Sequence, residues 1–168
     1  MQRVAILGSG GAGKSALAAA IAERTGLPVV HLDVTYWKPG WKQPSPEEFA
    51  LALDAAVADE RWILDGNFLR HDSEDPRFER ADTVIFLDLP RTTCLWRVLK
   101  RRAQESGRPR SDLPEGCRES IDFTLLLWVW RYPDRNRPQV LALIGGLEEV
   151  DVHRLRSSAD VRRFVESL

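Results

Sequence analysis

Gly8-Ser9-Gly10-Gly11-Ala12-Gly13-Lys14-Ser15 places four glycines beside one cation and two hydroxyls. Glycines let a backbone curl until successive N–H groups point inward at an anion. A helix that starts at the end of such a loop turns its positive dipole end toward the same point. Lys14 would set a compact cation on the β- and γ-phosphates of a triphosphate, and Ser15 would offer its hydroxyl to Mg²⁺. The cradle comprises Gly8, Ser9, Gly10, Gly11, Ala12, Gly13, Lys14, Ser15 and Ala16.

Two carboxylates fit the chemistry that such a cradle serves. Mg²⁺ keeps several waters and takes one or two carboxylates with phosphate oxygens. Asp65 closes the apolar run Trp62-Ile63-Leu64 and is expected to hold a Mg²⁺-bound water; the competing role is to form a turn before Gly66. Asp33 closes Val29-Val30-His31-Leu32. It can take a proton from an attacking hydroxyl or fix that hydroxyl in line with the phosphate, and its competing role is an Asx turn. Asp88 ends a further apolar run, but Leu89-Pro90 after it favours a turn-forming role equally.

Seven basic residues fall between Arg97 and Arg118 against three acids. Arginines on a closing loop neutralise the charge that spreads over a transferred phosphoryl group. Arg102, Arg110 and Arg118 are the candidates, on a lid of about 102–119 whose Gly and Pro residues suit a mobile flap. A solvated basic face is the other reading. Arg131, Arg135 and Arg137 form a second group that either turns back to the phosphates or solvates its loop. Trp37 and Trp41 bracket Lys38-Pro39-Gly40 in an acceptor segment of about 34–60; they either stack a planar group or pack a lid. Of Trp128 and Trp130, one is expected in the core and the other over the site. Trp62 and Trp96 are expected in the core.

The elements that must position these groups follow from pattern. Short apolar runs at 4–7, 29–33, 62–65, 83–88 and 149–155 read as strands. Ala16–Arg24 reads as a helix stopped by Gly26 and Pro28. Ser45-Pro46-Glu47-Glu48 is a helix start, with a cap, a first-position proline and acids in the first turn, and its helix is expected to run to Asp59. Helices are also expected over 92–103, 119–131 and 158–168. Residues 104–118 read as a loop, and 132–138 as a break. Strands alternating with helices imply a parallel sheet with right-handed crossovers, whose ligands sit beyond the carboxyl ends of the strands.

The 168 residues suit one domain, 1–168, with no repeat or second unit. A net charge of −1 supplies no basic field, so direct binding to nucleic acid is not expected. No apolar run approaches the ~20 residues that span a bilayer. Met1-Gln2-Arg3-Val4 runs straight into a strand, so the expectation is a cytoplasmic protein. Its two cysteines, Cys94 and Cys117, have no metal-ligand spacing and read as free thiols.

The cradle, Ile63-Leu64-Asp65-Gly66 with Arg70 downstream, the run ending in Leu87-Asp88 and the Arg-rich flap resemble the adenylate kinase and shikimate kinase group. Leu32-Asp33 with Tyr36-Trp37-Lys38-Pro39-Gly40-Trp41 is more closely similar to the adenylate-kinase-related DNA topology modulation proteins. Trp62 to Phe68, Trp96-Arg97, Arg110-Ser111-Asp112, Gly116 to Glu119 and Trp128-Val129-Trp130 extend that similarity over almost the whole chain. The resemblance implies an α/β, three-layer P-loop NTPase fold with a five-stranded parallel sheet, ATP as phosphate donor with Mg²⁺, an arginine-bearing lid, and a small acceptor under the segment after Asp33. Gly66 and Arg70 would belong to the acceptor side. In adenylate kinases the arginine follows an Asp-Gly-Phe-Pro turn; here Arg70 stands one place later and the proline is missing. The first expectation is therefore a phosphotransferase acting on a small hydroxyl compound. The second is a nucleotide-dependent regulator of a protein or DNA partner, supported by the Arg-rich segment alone. Asp33 separates them, because a switch needs no base in an acceptor pocket.

Overall fold

A computed structural model describes residues 1–67, 75–104 and 123–168. Five parallel strands form one sheet in the order β2-β3-β1-β4-β5. They are β1 (Arg3–Gly8), β2 (Val29–His31), β3 (Trp62–Asp65), β4 (Thr83–Leu87) and β5 (Asp151–Leu155). Helices α1 (Lys14–Thr25), α2 (Leu32–Tyr36), α3 (Pro46–Ala56), α4 (Pro76–Arg80), α5 (Arg91–Gln104), α6 (Phe123–Arg135), α7 (Arg137–Gly145) and α8 (Ser158–Glu166) cover it.

The period of two in a strand divides the core into two layers. Val4 and Ile6 of β1 join Leu17 and Ile21 of α1 and Phe164 of α8 on one face. Ala5 and Leu7 join Leu32, Leu53, Phe78 and Val140 on the other. Both faces of β1 and β4 are thus buried, which is why these strands are continuously apolar. Gly26 ends α1 in the left-handed region at φ 69°, and Ser45 and Glu48 form a reciprocal capping box at the start of α3.

Several elements depart from the sequence expectation. The second strand stops at His31, and Leu32–Tyr36 is a short helix closed by the Trp37 N–H donating to the Asp33 carbonyl. Leu32 is drawn under Gly66 instead of continuing the strand. The break expected at 132–138 is a helix pair. Pro133 lies inside α6, and Pro138 sits in the first turn of α7, where its missing N–H leaves no carbonyl unsatisfied. Buried Tyr132 anchors this stretch by donating its hydroxyl to Asn67 at 3.0 Å. The short helix α4 was not expected; Asp75 caps it ahead of Pro76. Helix α3 ends at Ala56 and α8 at Glu166, short of Asp59 and Leu168. Trp62 is buried, but Trp96 is 59% exposed, with the Lys100 ammonium over its ring. Cys94 is a buried free thiol, and Cys117 lies outside the described residues.

An ionic clamp closes the carboxyl edge between β4 and β5. Asp88 accepts from Arg137 Nε at 2.7 Å and from Arg154 Nη2 at 2.6 Å. Burial works to raise its pKa, but the hydrogen bonds and charges of Arg137 and Arg154 outweigh it and hold the carboxyl below its ordinary value. A depressed folded-state pKa stabilises the fold above the ordinary carboxylate range and is lost as pH falls through the folded value. Asp88→Asn should therefore cost about 2 kcal/mol at pH 7 in urea unfolding, and the gap should start to narrow as pH falls below about 4. A gap independent of pH would show that the charge does not hold this edge.

Candidate functional site

Between β1 and α1 the chain turns over the carboxyl end of the sheet. Gly11 and Gly13 take φ 77° and 100°, a region that side chains disfavour. The Ala12 N–H donates to the Ser9 carbonyl at 3.1 Å, tightening the turn. No side chain caps α1, so its first amides face the hollow without an intrahelical partner. Lys14 curls back, its Nζ 3.4 Å from the Ser9 carbonyl. The Ser9 hydroxyl is buried without a hydrogen-bond partner among the described residues. Open amides, a cation and an orphaned hydroxyl together fit a polyphosphate.

The loop is pressed from two sides. A methyl group at Gly11 would lie 2.3 Å from the Cys94 carbonyl of α5, and one at Gly10 would lie 3.1 Å from Val129 of α6. Trp128 reaches the same Gly10. Arg97 donates to the Ala12 carbonyl at 2.9 Å and to Ser158 at 3.0 Å, tying the loop to α8. Counted in the basic cluster from sequence, Arg97 is a brace beneath the cradle. Burial raises the Cys94 thiol pKa, which suits a packing role.

Asp65 is buried at the end of β3, level with Ile6 of β1 and His31 of β2. One of its oxygens lies 3.0 Å from His31 Nδ1, and the other has no hydrogen bond among the described residues. Ser15, at the start of α1, and Asp65, at the end of β3, supply a hydroxyl and a carboxylate of the kinds that could hold a Mg²⁺ ion with retained waters. Sequence reasoning missed His31, although its place at a strand's carboxyl end marks it. It also missed Asn67, which accepts from the Gly8 N–H at 3.3 Å as well as from Tyr132 and so joins β1 to α6. Asp75 and Arg77 form a buried pair at 2.6 Å, and Arg77 donates to the Gly66 carbonyl at 3.3 Å.

Asp33 lies in α2 just beyond β2, at the same carboxyl edge. The segment after it is an aromatic hairpin. Lys38 and Lys42 bridge in antiparallel fashion, Trp41 sits at φ 60°, and Lys38 pairs with Glu48 of α3 at 2.7 Å. Trp37 and Trp41 meet edge to face at 5.5 Å, and Tyr36 meets Trp37 and Phe49 at 4.9 Å each.

Other residues do not converge on the cradle. Asp88 is taken by Arg137 and Arg154, so it is neither a metal ligand nor only a turn former, and Arg137 serves that clamp. Arg131 and Arg135 are exposed. Neither Trp128 nor Trp130 is in the core; Val129 between them is, and of the two tryptophans it is Trp128 that lies against Gly10 of the cradle. Trp130 lies under the Arg91 guanidinium. Arg70, Arg110 and Arg118 lie outside the described residues, as does the Arg102 side chain. Among the described residues no helix is long and apolar enough to cross a membrane.

The strand order and the glycine loop on β1 define a P-loop NTPase of the adenylate and shikimate kinase-like fold. Shikimate kinase from Bacteroides thetaiotaomicron superposes with a TM-score of 0.58 at 15% identity, covering 99% of this chain and 95% of that one. A gluconokinase from Sinorhizobium meliloti 1021 gives 0.54 at 18% identity, covering 99% and 94%. No established family profile matches the chain. The uncharacterized protein YqaC of Bacillus subtilis is 31% identical over 135 residues, 78% of this chain and 72% of YqaC. The chain belongs to the YqaC family.

Gly66 tests how tightly α2 is packed against the end of β3. A methyl group there would lie 2.5 Å from Leu32 Cβ. Gly66→Ala should cost about 1–3 kcal/mol in urea unfolding. Combined with Leu32→Gly, which removes that Cβ, it should cost less than the two single losses added together. Additive losses would mean that the contact is not the constraint.

Proposed function

We propose that the chain is a single-domain, Mg²⁺- and ATP-dependent phosphotransferase that moves the γ-phosphate to a small hydroxyl compound. One observation carries this reading: the uncapped start of α1, with Lys14 and Ser15, shares a strand edge with buried Asp65. The two structural neighbours described above are small-molecule kinases by name, which supports the same reaction class. The Trp37–Trp41 hairpin beyond Asp33 supports the narrower resemblance to the topology modulation proteins.

In this reading the amides of Gly10 to Ala16 bind the donor phosphates, and Lys14 draws charge from the β- and γ-oxygens. Ser15 and a water held by Asp65 would hold Mg²⁺, which when bound neutralises charge on those oxygens. His31 fixes the Asp65 carboxylate. Asp33 accepts the acceptor's hydroxyl proton or aligns that hydroxyl. Trp37, Trp41 and Gly66 line the acceptor side with Arg70. Arg102, Arg110 and Arg118 on the lid, about 102–119, stabilise the transferring group and exclude water.

Release of ADP measured across nucleosides, nucleotides, sugars and hydroxy acids tests this reading. Slow hydrolysis without acceptor should give way to much faster turnover with one class. Lys14→Ala should lower that turnover by about 10²-fold or more. Asp33→Asn should lower kcat by about 10²-fold with little change in KM for ATP. Undiminished turnover in Lys14→Ala would refute the assignment.

A further inference from the structure

Across the sheet from the cradle's packing layer lies a cavity that the phosphotransfer reading does not use. It opens over the ends of β4 and β5, holds about 550 Å³, and is lined by Arg91, Arg137, Arg154, Arg156, Asp88 and Tyr132, among others. The cradle packs through Ala12, Leu17 and Cys94 into the layer that holds Leu87 and Leu155. Tyr132 belongs to the opposite layer, with Phe86 and Val152. Alternation along β5 puts Arg154 on the Val152 side. The cavity's polar side chains therefore rise on the layer opposite the cradle's, with Leu87 and Leu89 of the cradle's layer at its floor, and it lies at the far end of the sheet from β2 and Asp33.

Its charge is unbalanced. Four guanidiniums arrive from four places: the start of α5, the start of α7, β5 and the turn after it. One lining carboxylate, Asp88, meets them. It occupies Nε and Nη2 of both Arg137 and Arg154. Their Nη1 groups make no hydrogen bond among the described residues. Among the described residues Arg91 pairs with Asp134, which is 64% exposed, so that bridge is weak, and it stacks over Trp130. The Arg156 side chain has no hydrogen bond or ion pair among the described residues; its backbone N–H donates to Asp160. The clamp on Asp88 accounts for two of the arginines; Arg91 is held by the Asp134 bridge and the Trp130 ring, and Arg156 is exposed.

We propose that this cavity is a second anion site that binds a phosphate-bearing compound. Guanidinium forks bind phosphate oxygens bidentately. Forks arriving from several directions suit the tetrahedrally arranged oxygens of phosphate, beyond the two that Asp88 already takes. The volume is that of a small-ligand pocket, roughly 300–1,000 Å³, and Tyr132 gives it an aromatic wall.

Calorimetric titration with inorganic pyrophosphate, without Mg²⁺, tests this in the full-length Lys14→Ala protein, where the cradle has lost its cation. One equivalent should bind. Adding Arg91→Gln and Arg156→Gln, neither of which touches the Asp88 clamp, should weaken that binding at least about tenfold while the thermal midpoint is kept. Malonate should bind much more weakly than pyrophosphate. The proposal is overturned if Lys14→Ala binds no pyrophosphate, or if the two arginine changes leave the affinity as it was. Equal affinity for malonate would overturn the phosphate assignment. None of these readouts needs phosphotransfer, so the site stands or falls apart from the proposed activity.

Discussion

Helix α1 starts with amides that neither the chain nor a capping side chain satisfies, and the surrounding structure keeps them open. Gly11 and Gly13 sit at positive φ so that the loop can curl ahead of the helix. The curl holds because α5 lies against it so closely that Gly11 has no space for a side chain. Arg97 closes the arrangement from below by taking the Ala12 carbonyl. An anion completes a set of hydrogen bonds that the fold leaves unfinished.

Packing on the two faces of the sheet places the remaining chemistry along the same edge. The layer under α1 and α8 supports the cradle, and the layer under α2, α3 and α7 supports Asp33 and the aromatic hairpin. Asn67 joins them, because one side-chain oxygen accepts from both Gly8 and Tyr132. Asp65 stands at their centre, in register with β1 and β2 together. At the opposite end of the sheet, electrostatics replaces packing: Asp88 with two arginines ties β4, β5 and α7 into one corner.

The cradle and the sheet were legible because their signals are local. Small residues at fixed spacing and doubly buried apolar runs need no distant partner to be read. The places that misled depend on contacts far away in sequence. Asp33 reads as a strand end until Leu32 is seen packed under Gly66. Pro133 reads as a break until Tyr132 is seen anchored to Asn67, 65 positions away. Trp96 looks like core by residue type, yet its helix turns that face outward. Asp88 and Arg137 resembled a free carboxylate and a free cation because their pairing spans 49 positions. Asp33 and the tryptophans were placed on the acceptor side by position, and the hairpin's ring contacts could not be read from spacing.

The central claim is that the amides at the start of α1 receive the donor phosphates. Amide chemical shifts recorded while a non-hydrolysable ATP analogue and Mg²⁺ are titrated test it most directly. The largest changes should fall on Gly10 to Ala16, with smaller ones at Asp65 and Gly66. Binding that left Gly10 to Ala16 unmoved while other amides shifted would contradict the account.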